Sequence, residues 1–107
     1  MRRAEFEAVY RAGVRVSSAQ FVVFYRANGE PRTRFGISVK KALGGAVVRN
    51  RIRRRIREII RRNKAEISPG WDIVIHPRRS VARVAFAPLE AELAGLLRNL
   101  RSKVTPR

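Results

Sequence analysis

Residues 46–64 read AVVRNRIRRRIREIIRRNK. Val48, Ile52, Ile56, Ile59 and Ile60 fall at i, i+4, i+8, i+11 and i+12, so the spacing predicts an amphipathic helix with one apolar stripe. Gly44-Gly45 interrupts the pattern before it, and Ser68-Pro69-Gly70 supplies a turn after it. The stripe is built of β-branched residues, which suits packing on a sheet. The flanks supply that sheet. Upstream, residues 33–40 (TRFGISVK) place Phe35, Ile37 and Val39 on one side of a strand. Residues 20–26 (QFVVFYR) are β-branched and aromatic and read as its partner, with Asn28-Gly29 and Pro31 between them. Val14-Arg15-Val16 reads as a short extra strand. Farther upstream, Phe6, Val9 and Tyr10 give residues 2–11 a short helix, ended by Gly13. Downstream, residues 71–76 (WDIVIH) read as a strand that Pro77 ends. Residues 87–103 read as a last helix, with Pro88 at its start and Leu89, Leu93, Leu96, Leu97 and Leu100 in its stripe. This order predicts an α/β (α+β) two-layer sandwich around one mixed sheet of about four strands, in a single domain over residues 1–107.

The charge states what such a domain meets. The chain of 107 residues carries 25 Lys and Arg against 8 Asp and Glu, a formal net charge of +17, while 45% of it is hydrophobic. That hydrophobic content supports a folded domain, and self-repulsion at this charge favours a polyanionic partner. Phosphate backbones are such a partner, because cations that neutralise them release counterions. Residues 49–64 hold nine of the cations and one acid, Glu58. At 100° per residue, Asn50, Arg54, Arg57 and Arg61 lie opposite the isoleucine stripe. Arg49 and Arg53 flank them on one edge, and Arg51, Arg55 and Arg62 on the other. A charge run is most often a solvated face, but an imbalance of nine to one points to phosphate binding. Guanidinium forks donate in pairs to phosphate and stack on bases. Asn50 offers both a donor and an acceptor, suited to a sugar hydroxyl or base edge.

Catalytic chemistry has few candidates. Glu5 with Glu7, and Glu90 with Glu92, are i,i+2 pairs in predicted helices and diverge. Asp72 is the only acid in a predicted strand, so no carboxylate cluster for a metal ion is expected. His76, the only histidine, reads as structural at a strand end, and Ser38 has no base near it in sequence. No catalytic and no metal-ligating residue is expected in the chain. There is no cysteine, which fits a reducing compartment. No apolar run reaches transmembrane length, and the opening MRRAEFEAVYRAG lacks the apolar core of a signal peptide. The expected location is the cytoplasm, with no membrane partner.

Residues 34–64, RFGISVKKALGGAVVRNRIRRRIREIIRRNK, resemble the core of the bacterial ribonuclease P protein subunit family. That family carries a strand ending in a Gly-x-Ser-Val-Ser-Lys-Lys-like segment, followed by an Ala-Val-x-Arg-Asn-Arg-x-[Lys/Arg]-Arg helix. Here Gly36-Ile37-Ser38-Val39 and Arg49-Asn50-Arg51 match these motifs. Glu5-Phe6, Val9-Tyr10, residues 20–24 and residues 70–75 extend the resemblance over nearly the whole chain. It implies the protein subunit of a ribozyme that removes the 5′ leader of precursor tRNA, with Mg²⁺ ions acting through the RNA subunit and the substrate. It implies RNA-subunit contacts from Lys40, Lys41, Arg49, Asn50, Arg51, Arg53, Arg54, Arg57 and Arg61. It also implies a leader cleft between the first helix and the sheet, lined by Phe6, Tyr10, Phe24 and Ser38. One protein, itself monomeric, would bind one RNA subunit. A left-handed strand–helix–strand crossover is implied too, against the general right-handed rule.

Three positions depart from the family pattern. Phe24 lacks a hydroxyl often present there, Ala42 stands where a lysine is common, and the basic N-terminal extension is reduced to Arg2-Arg3. Composition alone suits a ribosomal or other structural RNA-binding protein equally well. The Arg-Asn-Arg helix after a Gly-x-Ser-Val strand favours the ribozyme subunit.

Overall fold

A computed structural model describes residues 1–100. Helix α1 (Arg3–Ala12) leads into strands β1 (Arg15–Ser17), β2 (Phe21–Ala27) and β3 (Arg34–Ile37). Helix α2 (Ala46–Asn63), strand β4 (Trp71–Pro77) and helix α3 (Phe86–Arg98) follow, with short 3-10 turns at Lys41–Leu43, Lys64–Glu66 and Arg79–Arg83. The sheet order is β1-β2-β4-β3. β2 runs antiparallel to β1 and β4, and β3 runs parallel to β4, so α2 is the crossover between parallel neighbours.

Period-two alternation divides the sheet into two faces. Phe21, Val23 and Tyr25 of β2 and Ile73 and Ile75 of β4 join Ile52, Ile56 and Ile59 of α2 and Leu89, Leu93 and Leu97 of α3 in the main core. Each such fully buried side chain contributes about 1.5–3 kcal/mol relative to exposure. The opposite face carries Val22, Phe24 and Arg26 of β2, Asp72, Val74 and His76 of β4, and Gly36 of β3. Helix α1 crosses that face over β2 and β4 and buries Val9 completely. Its Phe6 ring lies on Gly36: a Cβ there would stand 2.6 Å from Phe6 Cζ. The glycine is therefore a condition of the close approach.

Four expectations need correcting. β3 ends at Ile37 rather than at residue 40, although the Ser38 N–H still donates to Ile75 O at 2.9 Å. Pro77 does not end β4 but closes it, opposite Phe21. The alternation that turns Ile75 O toward β3 also turns the proline nitrogen that way, where β3 has already ended and no donor is needed. Val48, at the start of the predicted stripe, is exposed beside Gly44, and the buried stripe begins at Ile52. The last helix starts at Phe86 and ends at Arg98; positions 101–103 of the predicted span lie outside the described residues.

Candidate nucleic-acid interface

The acids decide which cations are free. Asp72, fully buried, is held by four donors: Arg34 Nε (2.8 Å) and Asn28 Nδ2 (2.9 Å) on Oδ1, and Arg34 Nη2 (2.8 Å) and Arg26 Nη2 (3.2 Å) on Oδ2. Burial alone would raise its pKa, but the hydrogen bonds of Arg34 and Asn28 and the two guanidinium charges outweigh it, and the net direction is down. Arg34 reaches on to Glu5 at 2.6 Å, tying α1 to the sheet. Glu7 pairs with Arg3, Glu58 with Arg61, Glu66 with Arg98 and Glu90 with Arg62. Glu92 accepts from the Ser18 hydroxyl and from the Gln20 N–H. Only Glu30 is left outside these contacts among the described carboxylates.

Helix α2 therefore keeps most of its charge unneutralised. Of its cations, only Arg61 and Arg62 have an acidic partner among the described residues, and Arg61 is gripped by both Glu58 oxygens at 3.0 and 2.5 Å. Arg62 also lies over the Phe86 ring, 5.3 Å from its centroid. Arg55 turns inward and donates to Val84 O. Arg53 donates to Asn50 Oδ1 at 3.0 Å, so the asparagine keeps its amide N–H groups for a ligand. Arg49 is half-buried. Arg51, Arg54 and Arg57 are exposed and lack an acid partner among the described residues, and Val47, Asn50, Arg54 and Arg57 line a shallow groove on the outer face. The predicted face is thus sorted by its neighbours: Arg54 and Arg57 free, Arg61 neutralised, Asn50 half engaged.

A second site forms across the sheet. Tyr10 of α1, Phe24 of β2 and His76 of β4 meet ring to ring. The Tyr10 and Phe24 centroids are 5.1 Å apart at 88°, and Phe24 and His76 are 5.3 Å apart at 72°. The Tyr10 hydroxyl lies 2.8 Å from His76 Nε2. Burial, and then the Lys40 charge, hold the His76 pKa below its ordinary value. Burial raises the Tyr10 pKa, while a hydrogen bond with Ser38 acts the other way. Arg15, Lys40 and Arg78 join the rings around an open hollow of about 340 Å³. Stacking faces beside cations are the means by which unpaired nucleotides are held.

The predicted site residues are only partly brought together here. Tyr10, Phe24 and Ser38 converge, whereas Phe6 sits on Gly36, outside the hollow. Lys40 faces the hollow rather than the arginine helix, and Lys41 is exposed in the turn before α2. His76, read as structural from sequence, is a member of the aromatic cluster. The signal was available: counting by two along β4 puts His76 on the face of Asp72, away from the core.

The family model described as Ribonuclease P matches residues 1–101. The ribonuclease P protein component of Thermotoga maritima is 38% identical over 102 residues, covering 92% of this chain and 87% of that protein. That of Geobacillus thermodenitrificans is 42% identical over 98 residues, covering 91% and 81%. The chain belongs to the ribonuclease P protein family. The solved ribonuclease P protein of T. maritima superposes with a TM-score of 0.90 at 37% identity, over 95% of this chain and 97% of that one. The three helices and mixed four-stranded sheet are therefore those of ribonuclease P proteins. Among the described residues no three His, Cys, Asp or Glu side chains gather as metal ligands, and no helix is long and apolar enough to cross a membrane.

Proposed function

We propose that this chain is the protein subunit of ribonuclease P and assists endonucleolytic removal of the 5′ leader from precursor tRNA. Family membership supports the assignment, and one observation carries its mechanism. Two cationic surfaces lie on different elements: the acid-free arginines of α2, and the aromatic hollow under α1. The first suits the RNA subunit, with Arg51, Arg54 and Arg57 on phosphates and Asn50 on a sugar or base edge. The second suits the single-stranded leader, with bases against Tyr10 and Phe24 and phosphates against Arg15, Lys40 and Arg78.

The division of labour follows from what the carboxylates do. Apart from Glu30, the described carboxylates are bound to arginines, a hydroxyl and main-chain donors of the fold and do not gather, so the chain's own residues do not fit a protein-held metal centre. Mg²⁺ would be held by phosphates of the RNA subunit and substrate, where it supplies the chemistry of phosphodiester hydrolysis. The protein contributes position and charge: it fixes the leader relative to the RNA and lowers the repulsion between two polyanions. It acts as a monomer, one per RNA subunit, in the cytoplasm.

The test is precursor tRNA cleavage by a bacterial ribonuclease P RNA at low Mg²⁺, with and without this chain. Acceleration specific to the precursor is expected. Unchanged turnover, with RNA binding intact, would instead indicate a structural RNA-binding protein.

A further inference from the structure

The sheet face that packs on α2 is left open along one margin. β3 is a four-residue edge strand, paired with β4 alone. Its Phe35 and Ile37 point to the α2 side and are half-buried at the rim of the core. Two hollows meet at Phe35. One extends to Ile67 and Lys64, and the other runs past Ile37 to Ile60, Arg57 and Lys64. No acid lines either one. Arg57 and Lys64 belong to no ion pair among the described residues.

The main chain adds polarity to this apolar margin. Ser38 N–H points toward β4, where it meets Ile75 O. Alternation therefore turns the N–H and C=O of Phe35 and Ile37 outward, to the open edge. An aromatic face, an aliphatic wall, unpaired main-chain donors and acceptors, and two free cations stand together. A nucleobase needs this set: a surface for its π-face, partners for its hydrogen-bonding edge, and cations for the phosphates on either side. A peptide strand or a second copy of the chain would use the same main-chain groups. The strand is short for that purpose, however, and its surroundings are wholly cationic, so a second copy would meet like charge.

We propose that this edge is a second nucleobase site, which takes an unpaired base of the ribonuclease P RNA with its flanking phosphates on Arg57 and Lys64. The inference rests on the function proposed above. The edge lies across the sheet from the Tyr10–Phe24–His76 hollow, and Arg54 and Arg57, one turn apart on α2, lead the phosphate track toward it.

The experiment uses the whole chain and RNA subunit carrying 4-thiouridine. Irradiated complexes are digested and the crosslinked peptides mapped, and filter binding compares wild type with Phe35→Leu and Lys64→Gln. Leucine keeps the apolar packing and removes the π-face, and thermal unfolding reports the fold of each variant. Crosslinks within residues 34–37 are expected. Phe35→Leu should weaken RNA-subunit binding roughly tenfold, and Lys64→Gln should lower the salt slope by about one. A leader oligonucleotide should bind all three proteins equally. Crosslinks confined to other segments, together with wild-type binding by both variants, would overturn the site. So would crosslinks at the edge from the leader alone, or a self-association that Phe35→Leu abolishes. If the wild type fails to bind the RNA subunit at all, the proposed function falls with the inference. If it binds and the variants are indifferent, only the edge site falls.

Discussion

Asp72→Asn isolates the strongest internal constraint in this molecule. Each carboxylate oxygen accepts two hydrogen bonds: Oδ1 from the Arg34 guanidinium and the Asn28 amide, Oδ2 from the guanidiniums of Arg34 and Arg26. An amide keeps one such oxygen and turns an NH₂ group toward the two donors at the other. Two bonds are lost, at least one of them charge-assisted, and donor then faces donor. A hydrogen bond to a charged group contributes about 1.5–3 kcal/mol. Arg26 and Arg34 are 34% and 37% exposed in their side chains, so water recovers part of that loss for them. A net loss of about 3 kcal/mol is expected, against a total stability of roughly 5–15 kcal/mol. For a domain of this size that corresponds to a fall in Tm of about 12–24 °C. Circular dichroism melts at neutral pH measure it. The sign with pH follows from the depressed carboxyl: its contribution is fully present above the ordinary aspartate value of 3.8 and is lost as pH falls through the lower folded value. The gap between wild type and variant should therefore close in acid. A fall in Tm below about 4 °C, or a gap that persists to about pH 2, would refute this account of the cluster.

Filter-binding titrations should separate the arginines of α2. Arg54→Ala and Arg57→Ala should each lower the salt slope for the RNA subunit by about one, whereas Arg61→Ala should lower it less and Glu58→Gln, which releases Arg61, should raise it. Equal slopes for all four variants would remove α2 from the contact. Tyr10→Ala should weaken precursor tRNA binding far more than mature tRNA binding; equal losses on both would exclude a leader site there. His76 is held neutral in the fold, so its contribution to stability is lost as pH falls from 6.5 toward its lower folded value. His76→Gln should remove that slope in denaturant titrations from about pH 5 to 8, and an unchanged slope would place its origin elsewhere. Added salt should raise the Tm of the free protein by screening α2 while weakening its RNA complex; parallel changes would contradict self-repulsion as the common cause.

Most of the fold was legible because its elements are strongly periodic. The isoleucine spacing of α2 and the leucine spacing of α3 locate both helices, and alternation locates the strands. What escaped depended on partners distant in sequence. Pro77 closes a strand because β3 stops two register positions earlier, opposite Ile75, which no local pattern records. Val48 has the right spacing but lies ahead of the covered part of the helix. At the site, helical phase identified the outward arginines correctly, yet it gave no means of ranking them. The ranking comes from Glu58, Glu90 and Val84 O, which draw off Arg61, Arg62 and Arg55. Phe6 and Tyr10 share a helix face in sequence, but the absence of a side chain at Gly36 draws one ring onto β3 while the other meets His76.

The placement of the eight acids explains how one chain both folds and binds a polyanion. Asp72 and Glu5 draw Arg26 and Arg34 into the α1 face, and Glu66 and Glu90 fasten α3 to the end of α2. These contacts hold the elements in place and leave the middle of α2 almost without counter-charge. There Arg51, Arg54 and Arg57 repel one another at i,i+3 spacing, each pair costing a few tenths of a kcal/mol in the free protein. The isoleucines on the opposite side of the same helix supply burial worth many times that amount. The fold therefore tolerates a cost that bound phosphates remove, and stability and RNA affinity are coupled through one helix. Had the same acids been spread along α2, the free domain would gain little, because exposed pairs contribute roughly 0–1 kcal/mol. The counterion release that drives binding would be lost with the free charges.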